Sequence, residues 1–218
     1  MTSPLTWQKA FETLRQTLDG ERPSLNVLDA GGATPFQILI ATLLSLRTKD
    51  EVTLKASKAL FAKAATPQDM LTLSEDEIAQ TIFPVGFYKT KAGHIREISQ
   101  ILLDSYQGTV PSDKETLLAL PGVGPKTANL VLGLAFGVQA ICVDTHVHRI
   151  ANRWGWVQTH EPEETEKALE ELLPREIWID VNELLVQFGQ TLCGPASPHC
   201  QLCPLTESCP RIGVLHHR

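Results

Sequence analysis

The chain has no long apolar run. Its longest, such as Ile38-Leu39-Ile40-Ala41 and Leu130 to Phe136, fall far short of the roughly 18 consecutive residues that a membrane span requires. It opens Met-Thr-Ser-Pro-Leu-Thr-Trp-Gln-Lys, without the basic start and apolar stretch of a secretory leader. The cytoplasm is therefore the expected location, beside the nucleoid in a bacterial source, with no membrane partner. No segment repeats at a fixed period, which excludes a solenoid or propeller. Alternating strand patterns joined by two-residue hairpin turns are missing as well, which argues against an all-β fold. Nor is there a basic surplus: the net charge is −6, and taken alone that speaks mildly against nucleic acid, whose binding draws on neutralised phosphates. The distribution weakens the objection. Residues 161–176 hold seven acids against Lys167 and Arg175, a local −5, so the remainder is nearly neutral.

What the chain does have is helix punctuation. Across its 218 residues, enough for one large domain or two small ones, N-cap signals recur. Thr34-Pro35 opens an apolar helix through Leu46, Thr48-Lys49-Asp50-Glu51 reads as a capping box opening another through about Lys63, and Thr66-Pro67 starts a short third. Ser74 to Glu77 and Ser112 to Glu115 are further capping boxes, with Ile95, Ile98, Ile101 and Leu102 in helical spacing between them. Further helices are expected over 125–136, 145–154, 162–173 and 176–190. The fold class is all-α, with turns short enough for compact packing.

Four of the five cysteines, Cys193, Cys200, Cys203 and Cys209, lie in a Pro-rich loop with the spacing C-x6-C-x2-C-x5-C. In a reducing compartment such a cluster binds metal more readily than it forms disulfides. An iron–sulfur cluster and a structural zinc are both open, although zinc ribbons commonly pair two short knuckles and this loop has one. The fifth, Cys142, sits in the apolar run Ala140 to Val143 and is expected to pack as a small hydrophobe.

Leu120-Pro-Gly-Val-Gly-Pro-Lys-Thr-Ala-Asn129 ends one helix, turns on glycines and opens the next with Pro125 in its first turn. Gly122 and Gly124 let the backbone approach a ligand, and the unpaired N–H groups of the following helix suit a phosphate. Lys126 stands in that first turn, where an amine is a candidate nucleophile; the plain alternative is a surface lysine. Eighteen residues on, Asp144 in Val143-Asp-Thr-His146 is either simply an N-cap or a carboxylate that assists chemistry at the amine. Tyr88-Lys89-Thr90-Lys91 with His94 and Arg96 is the densest basic patch, a phosphate rail or a solvated helix face. Trp154 and Trp156 are expected in a core between lobes, and His199, Gln201 and Arg211 near the cysteine loop are candidates for ligand contacts.

At the hairpin, the Val143-Asp-Thr-His146 segment and the cysteine loop, in that order, the chain resembles the endonuclease III family of helix-hairpin-helix DNA glycosylases. The resemblance implies a six-helix barrel domain over 28–138 and an iron–sulfur helical domain built from 1–27 and 139–218. It implies a monomeric base-excision-repair enzyme that acts on double-stranded DNA containing oxidised pyrimidines or abasic sites, as both glycosylase and AP lyase. Lys126 would attack C1′ of a flipped nucleotide and form a Schiff base that leads to β-elimination, with Asp144 stabilising positive charge at the sugar. The four cysteines would hold a [4Fe–4S] cluster. Gly122, Gly124, Lys89 and Lys91 would contact DNA. Family members fill the vacated base position from two loops, which here carry Arg47 and Phe87 where many relatives have glutamine and leucine. The readings set against these last two are a helix-end cation and a core anchor. A mismatch glycosylase without lyase activity and a non-catalytic DNA-binding module are the competing functions. Lys126 argues against the first, because monofunctional relatives commonly carry another residue there.

Overall fold

A computed structural model describes residues 5–18 and 32–218, and every described element is helical. The helices are α1 (Trp7–Thr17), α2 (Pro35–Ser45), α3 (Asp50–Phe61), α4 (Pro67–Thr72), α5 (Glu75–Ile82), α6 (Tyr88–Tyr106), α7 (Lys114–Leu118), α8 (Pro125–Phe136), α9 (Thr145–Arg153), α10 (Pro162–Leu172) and α11 (Trp178–Thr191). A 3-10 turn, Arg175–Ile177, precedes the last of them. The chain divides into two compact units, Pro23–Val138, and Met1–Arg22 with Gln139–Arg218. The boundary expected at 27/28 lies outside the described residues.

In the first unit, α2 is the central post. Phe36 and every residue from Ile38 to Leu44 are buried, as expected of a helix that is apolar all round. It packs against α3, α6 and α8, and its Leu39, Ile40, Leu43 and Leu44 join Leu60, Ile78, Ile82, Ile95, Ile98 and Val131 in one core. The local signals that start these helices work largely as read. Thr34 and Ser74 both form reciprocal capping boxes, with Gln37 and Glu77, and Thr66 caps α4.

Two boxes do not form. Helix α3 starts after Lys49, which makes no side-chain cap; the Thr48 hydroxyl turns instead to the loop between α5 and α6, accepting the Gly86 N–H at 3.1 Å. At α7 the cap is Asp113, whose carboxylate accepts the Thr116 N–H at 2.8 Å, rather than Ser112. In both cases several polar residues in succession could cap, and tertiary contacts select among them.

In the second unit α11 packs on α9 and α1 around Phe11, Leu14, Ile150, Val181, Leu185 and Phe188. Trp154 and Trp156 belong to this core, with Trp154 ring centroids 4.6 Å from Trp156 and 5.6 Å from Phe188. They anchor the core of that unit. Cys142 is buried, as its apolar run predicts, and Arg15 pairs with Asp180 to tie α1 to α11.

Candidate active site and cysteine pocket

The hairpin between α7 and α8 is a tight turn: the Ala119 N–H returns to Glu115 O, and the Val123 N–H to Leu120 O at 3.1 Å. The two glycines serve different ends. Gly122 has φ +72, and a Cβ there would stand 2.5 Å from His94 Nδ1 and 3.2 Å from Leu43 Cδ1. Only glycine suits that position, so Gly122 lets the turn lie against α6 and α2. Gly124 has ordinary extended backbone as the N-cap of α8, and a Cβ there would meet nothing within 4 Å. It leaves the start of α8, with Pro125 in the first helical position, open on the hairpin side. The unpaired N–H groups and positive dipole end of such a helix suit an anion. Lys126, half-buried, is the second residue of this helix.

Asp144 lies in the other unit, where it caps α9. One carboxylate oxygen accepts both the His146 N–H at 2.8 Å and the Val147 N–H at 3.0 Å. The buried segment leading into it is pinned by the Asn182 side chain, which donates to Cys142 O at 3.1 Å. The capping role is therefore real; it fixes the carboxylate and does not exclude a chemical one.

Arg47 and Phe87 come together although 40 residues separate them. Both are exposed, both have left-handed backbone (φ 53 and 58), and the Arg47 guanidinium lies 5.5 Å from the centre of the Phe87 ring. Phe87 is 62% exposed, so it is not a core anchor. A left-handed conformation costs a non-glycine residue roughly 1–2 kcal/mol, and a strained pair held in solvent is the pattern of a functional contact.

The basic patch does not act as one surface. Lys89 is exposed on the first turn of α6, but Lys91 is buried at 5% exposure and cannot reach a phosphate. Its ammonium donates to Leu44 O at 2.9 Å and Leu46 O at 2.6 Å, and burial pushes its pKa down to about 8. Arg96 likewise turns inward, donating to the carbonyls of Leu71 and Leu73. Residue spacing had suggested a rail because it records which residues share a helix face but not which neighbouring carbonyls capture them.

The four clustered cysteines line one partly open pocket, together with Arg153, Trp154 and Arg211. Burial, and then the three neighbouring cysteines, push the Cys203 thiol up to about 11; burial also raises Cys209. Four thiolates in this pocket would repel one another, a cost that a cationic centre between them reverses. Among the described residues, no three His, Cys, Asp or Glu side chains converge where a single metal ion could sit. Sequence reasoning missed the two arginines that hold this loop. Arg149 donates to Cys193 O at 2.9 Å, and Arg153 to Cys193 Sγ at 3.4 Å and Gly194 O at 2.7 Å. Their spacing of four on α9 puts both on one helix face, and that was the available signal. Arg211 is engaged within the loop, donating to the Thr206 hydroxyl at 2.6 Å.

An all-helical chain with a glycine hairpin presenting a lysine, a capped aspartate and a four-cysteine pocket is of the helix-hairpin-helix base-excision class. Residues 40–175 match the family model described as the HhH-GPD superfamily base excision DNA repair protein. Endonuclease III of Thermotoga maritima is 50% identical over 175 residues, covering 80% of this chain and 82% of that protein. A solved structure of a trapped endonuclease III–DNA covalent intermediate, an estranged-adenine complex, superposes with a TM-score of 0.80 at 36% identity, over 95% of this chain and 97% of the other. A thermostable thymine-DNA glycosylase superposes with a TM-score of 0.76 at 29% identity, over 90% of each. The chain belongs to the endonuclease III family.

Proposed function

We propose that the protein is a bifunctional DNA glycosylase and AP lyase of base excision repair, acting on oxidised pyrimidines and abasic sites in duplex DNA. The observation that carries this reading is Lys126 in the first turn of α8, directly behind a glycine hairpin whose helix start is open to an anion. A phosphate docked on those N–H groups brings the sugar of an extruded nucleotide to the amine. Lys126 Nζ forms a bond to C1′ as the glycosidic bond breaks and the base leaves. The Schiff base that follows permits loss of the 3′ phosphate by β-elimination. Asp144 stabilises positive charge developing at the sugar and assists proton transfer. Gly122 and Gly124 shape the phosphate dock, Lys89 adds a backbone contact, and Arg47 with Phe87 fills the space left by the extruded nucleotide. The hairpin lies in the domain that ends at Val138, the four cysteines in the domain that takes up the chain from Gln139, and the enzyme works as a monomer. A thymine-mismatch glycosylase without strand cleavage is admitted by the likeness to the thermostable enzyme, but Lys126 favours the lyase.

Cys193, Cys200, Cys203 and Cys209 hold a [4Fe–4S] cluster. All-thiolate ligation and the Arg153 N–H directed at Cys193 suit a cluster that shapes the loop rather than one that takes part in the reaction. The test of the enzymatic reading is incubation with duplexes carrying an oxidised pyrimidine or an abasic site, followed by borohydride. A covalent adduct lost in Lys126→Ala is expected. No base release and no adduct on any such duplex would rule the reading out.

A further inference from the structure

Lys91 is the residue that connects the two loops carrying Arg47 and Phe87. From the first turn of α6 its backbone N–H donates to Phe87 O at 3.0 Å. Its side chain crosses to the end of α2, where the ammonium donates to Leu44 O and Leu46 O and lies 3.4 Å from the Thr48 hydroxyl. Carbonyls at a helix C-terminus carry partial negative charge, so a buried cation is suited to that place. The accepting carbonyls and hydroxyl bracket Arg47. The loops also meet directly: the Thr48 hydroxyl takes the Gly86 N–H at 3.1 Å, and a Cβ on Gly86 would stand 2.5 Å from Arg47 O. Thus the backbone just before Arg47 is held by the buried ammonium, and the Thr48 hydroxyl just after it links that ammonium to the residue before Phe87, while the two side chains themselves project into solvent.

We propose that Lys91 is a positioning residue whose buried ammonium locks the two loops together, so that Arg47 and Phe87 enter the duplex as one preassembled wedge. The wedge's target rests on the glycosylase reading above. Strained left-handed backbone persists only where its surroundings over-determine it; the Lys91 ammonium supplies part of those surroundings beside Arg47 directly, and beside Phe87 through the Thr48 hydroxyl that holds the Gly86 N–H. A wedge already assembled loses less conformational freedom on binding than two independent loops would. The role matters where a duplex must be opened and is idle where the substrate is already single-stranded.

The test compares borohydride trapping on duplex and on single-stranded DNA carrying an abasic site, using the intact metal-loaded protein. A duplex with 2-aminopurine opposite the abasic site adds a signal that rises as that base is unstacked. In Lys91→Met the ratio of duplex to single-stranded trapping should fall on the order of tenfold, as for a misplaced binding group, and the 2-aminopurine rise should shrink with it. Lys91→Arg, which keeps the charge, should recover part of both. On a Phe87→Ala background, Lys91→Met should add little further loss, because both changes disable the same device. Thr48→Val should move the readouts in the same direction by less, and it serves if Lys91→Met does not fold. An unchanged ratio in whichever of these variants folds, or losses from Lys91 and Phe87 that simply add, would overturn the positioning role. Wild-type protein that traps no abasic DNA at all would instead refute the glycosylase reading.

Discussion

Replacing Gly122 by alanine tests whether the hairpin is held as described. The residue sits at φ +72, and the added methyl would stand 2.5 Å from His94 Nδ1, 3.1 Å from His94 Cε1 and 3.2 Å from Leu43 Cδ1. The left-handed backbone costs alanine roughly 1–2 kcal/mol, and forcing a methylene's volume into a packed contact costs about 1–3 kcal/mol more. Together these give a loss of about 2–5 kcal/mol, which for a chain of this size lowers the melting temperature by about 4–20 °C. Circular dichroism melts of the intact protein measure it. Adding His94→Ala should return the contact part of the loss but leave the backbone part. Gly124→Ala is the internal contrast. That backbone is ordinary and the space around it open, so stability should fall by no more than the cost of a poorer N-cap, about 1 kcal/mol, while duplex binding weakens, because the methyl obstructs the phosphate dock. A Gly122→Ala protein that melts within a degree or two of wild type, or a Gly124→Ala loss as large as that of Gly122→Ala, would refute this account of the turn.

Metal analysis should find iron and acid-labile sulfide in equal amounts; Cys203→Ala should lose both, and a colourless protein containing zinc would contradict the cluster. Lys91 supplies a pH dependence. Burial holds its pKa at about 8 against an ordinary 10.5, so between those values the unfolded chain keeps a proton that the folded one has released. The stability of wild type relative to Lys91→Met should therefore be flat below about pH 8 and rise from there toward pH 10.5 in denaturant titrations; a difference that is level throughout would show the lysine to be unperturbed. Ser74→Ala breaks a capping box closed on both sides and should cost about 1 kcal/mol, read from the shift in denaturation midpoint at constant m-value.

The helices were legible because each start carries its own chemistry. Thr34-Pro35, Thr66-Pro67 and Ser74 to Glu77 name their N-caps without help from the rest of the chain. The cysteine loop and the hairpin were legible for a similar reason, since their residues are close in sequence. Reading failed where a polar side chain had a choice of partners decided by tertiary contact. Thr48 abandons its helix to accept from Gly86, and Lys91 abandons solvent for the end of α2; neither partner is within 35 residues in the chain. Arg47 and Phe87 could be named as site residues by resemblance. That they stack on each other, both in left-handed backbone, depends on that same tertiary staple and left no local mark in the sequence.

Lys126 is the proposed nucleophile. The most direct test of that role is to trap the protein on an abasic duplex with borohydride, digest the complex and map the modified peptide by mass spectrometry. The sugar remnant should be found on Lys126 in the peptide that follows the Gly122–Gly124 turn. A remnant carried by Lys89, Lys91 or the N-terminal amine in wild-type protein, with Lys126 unmodified, would contradict the account.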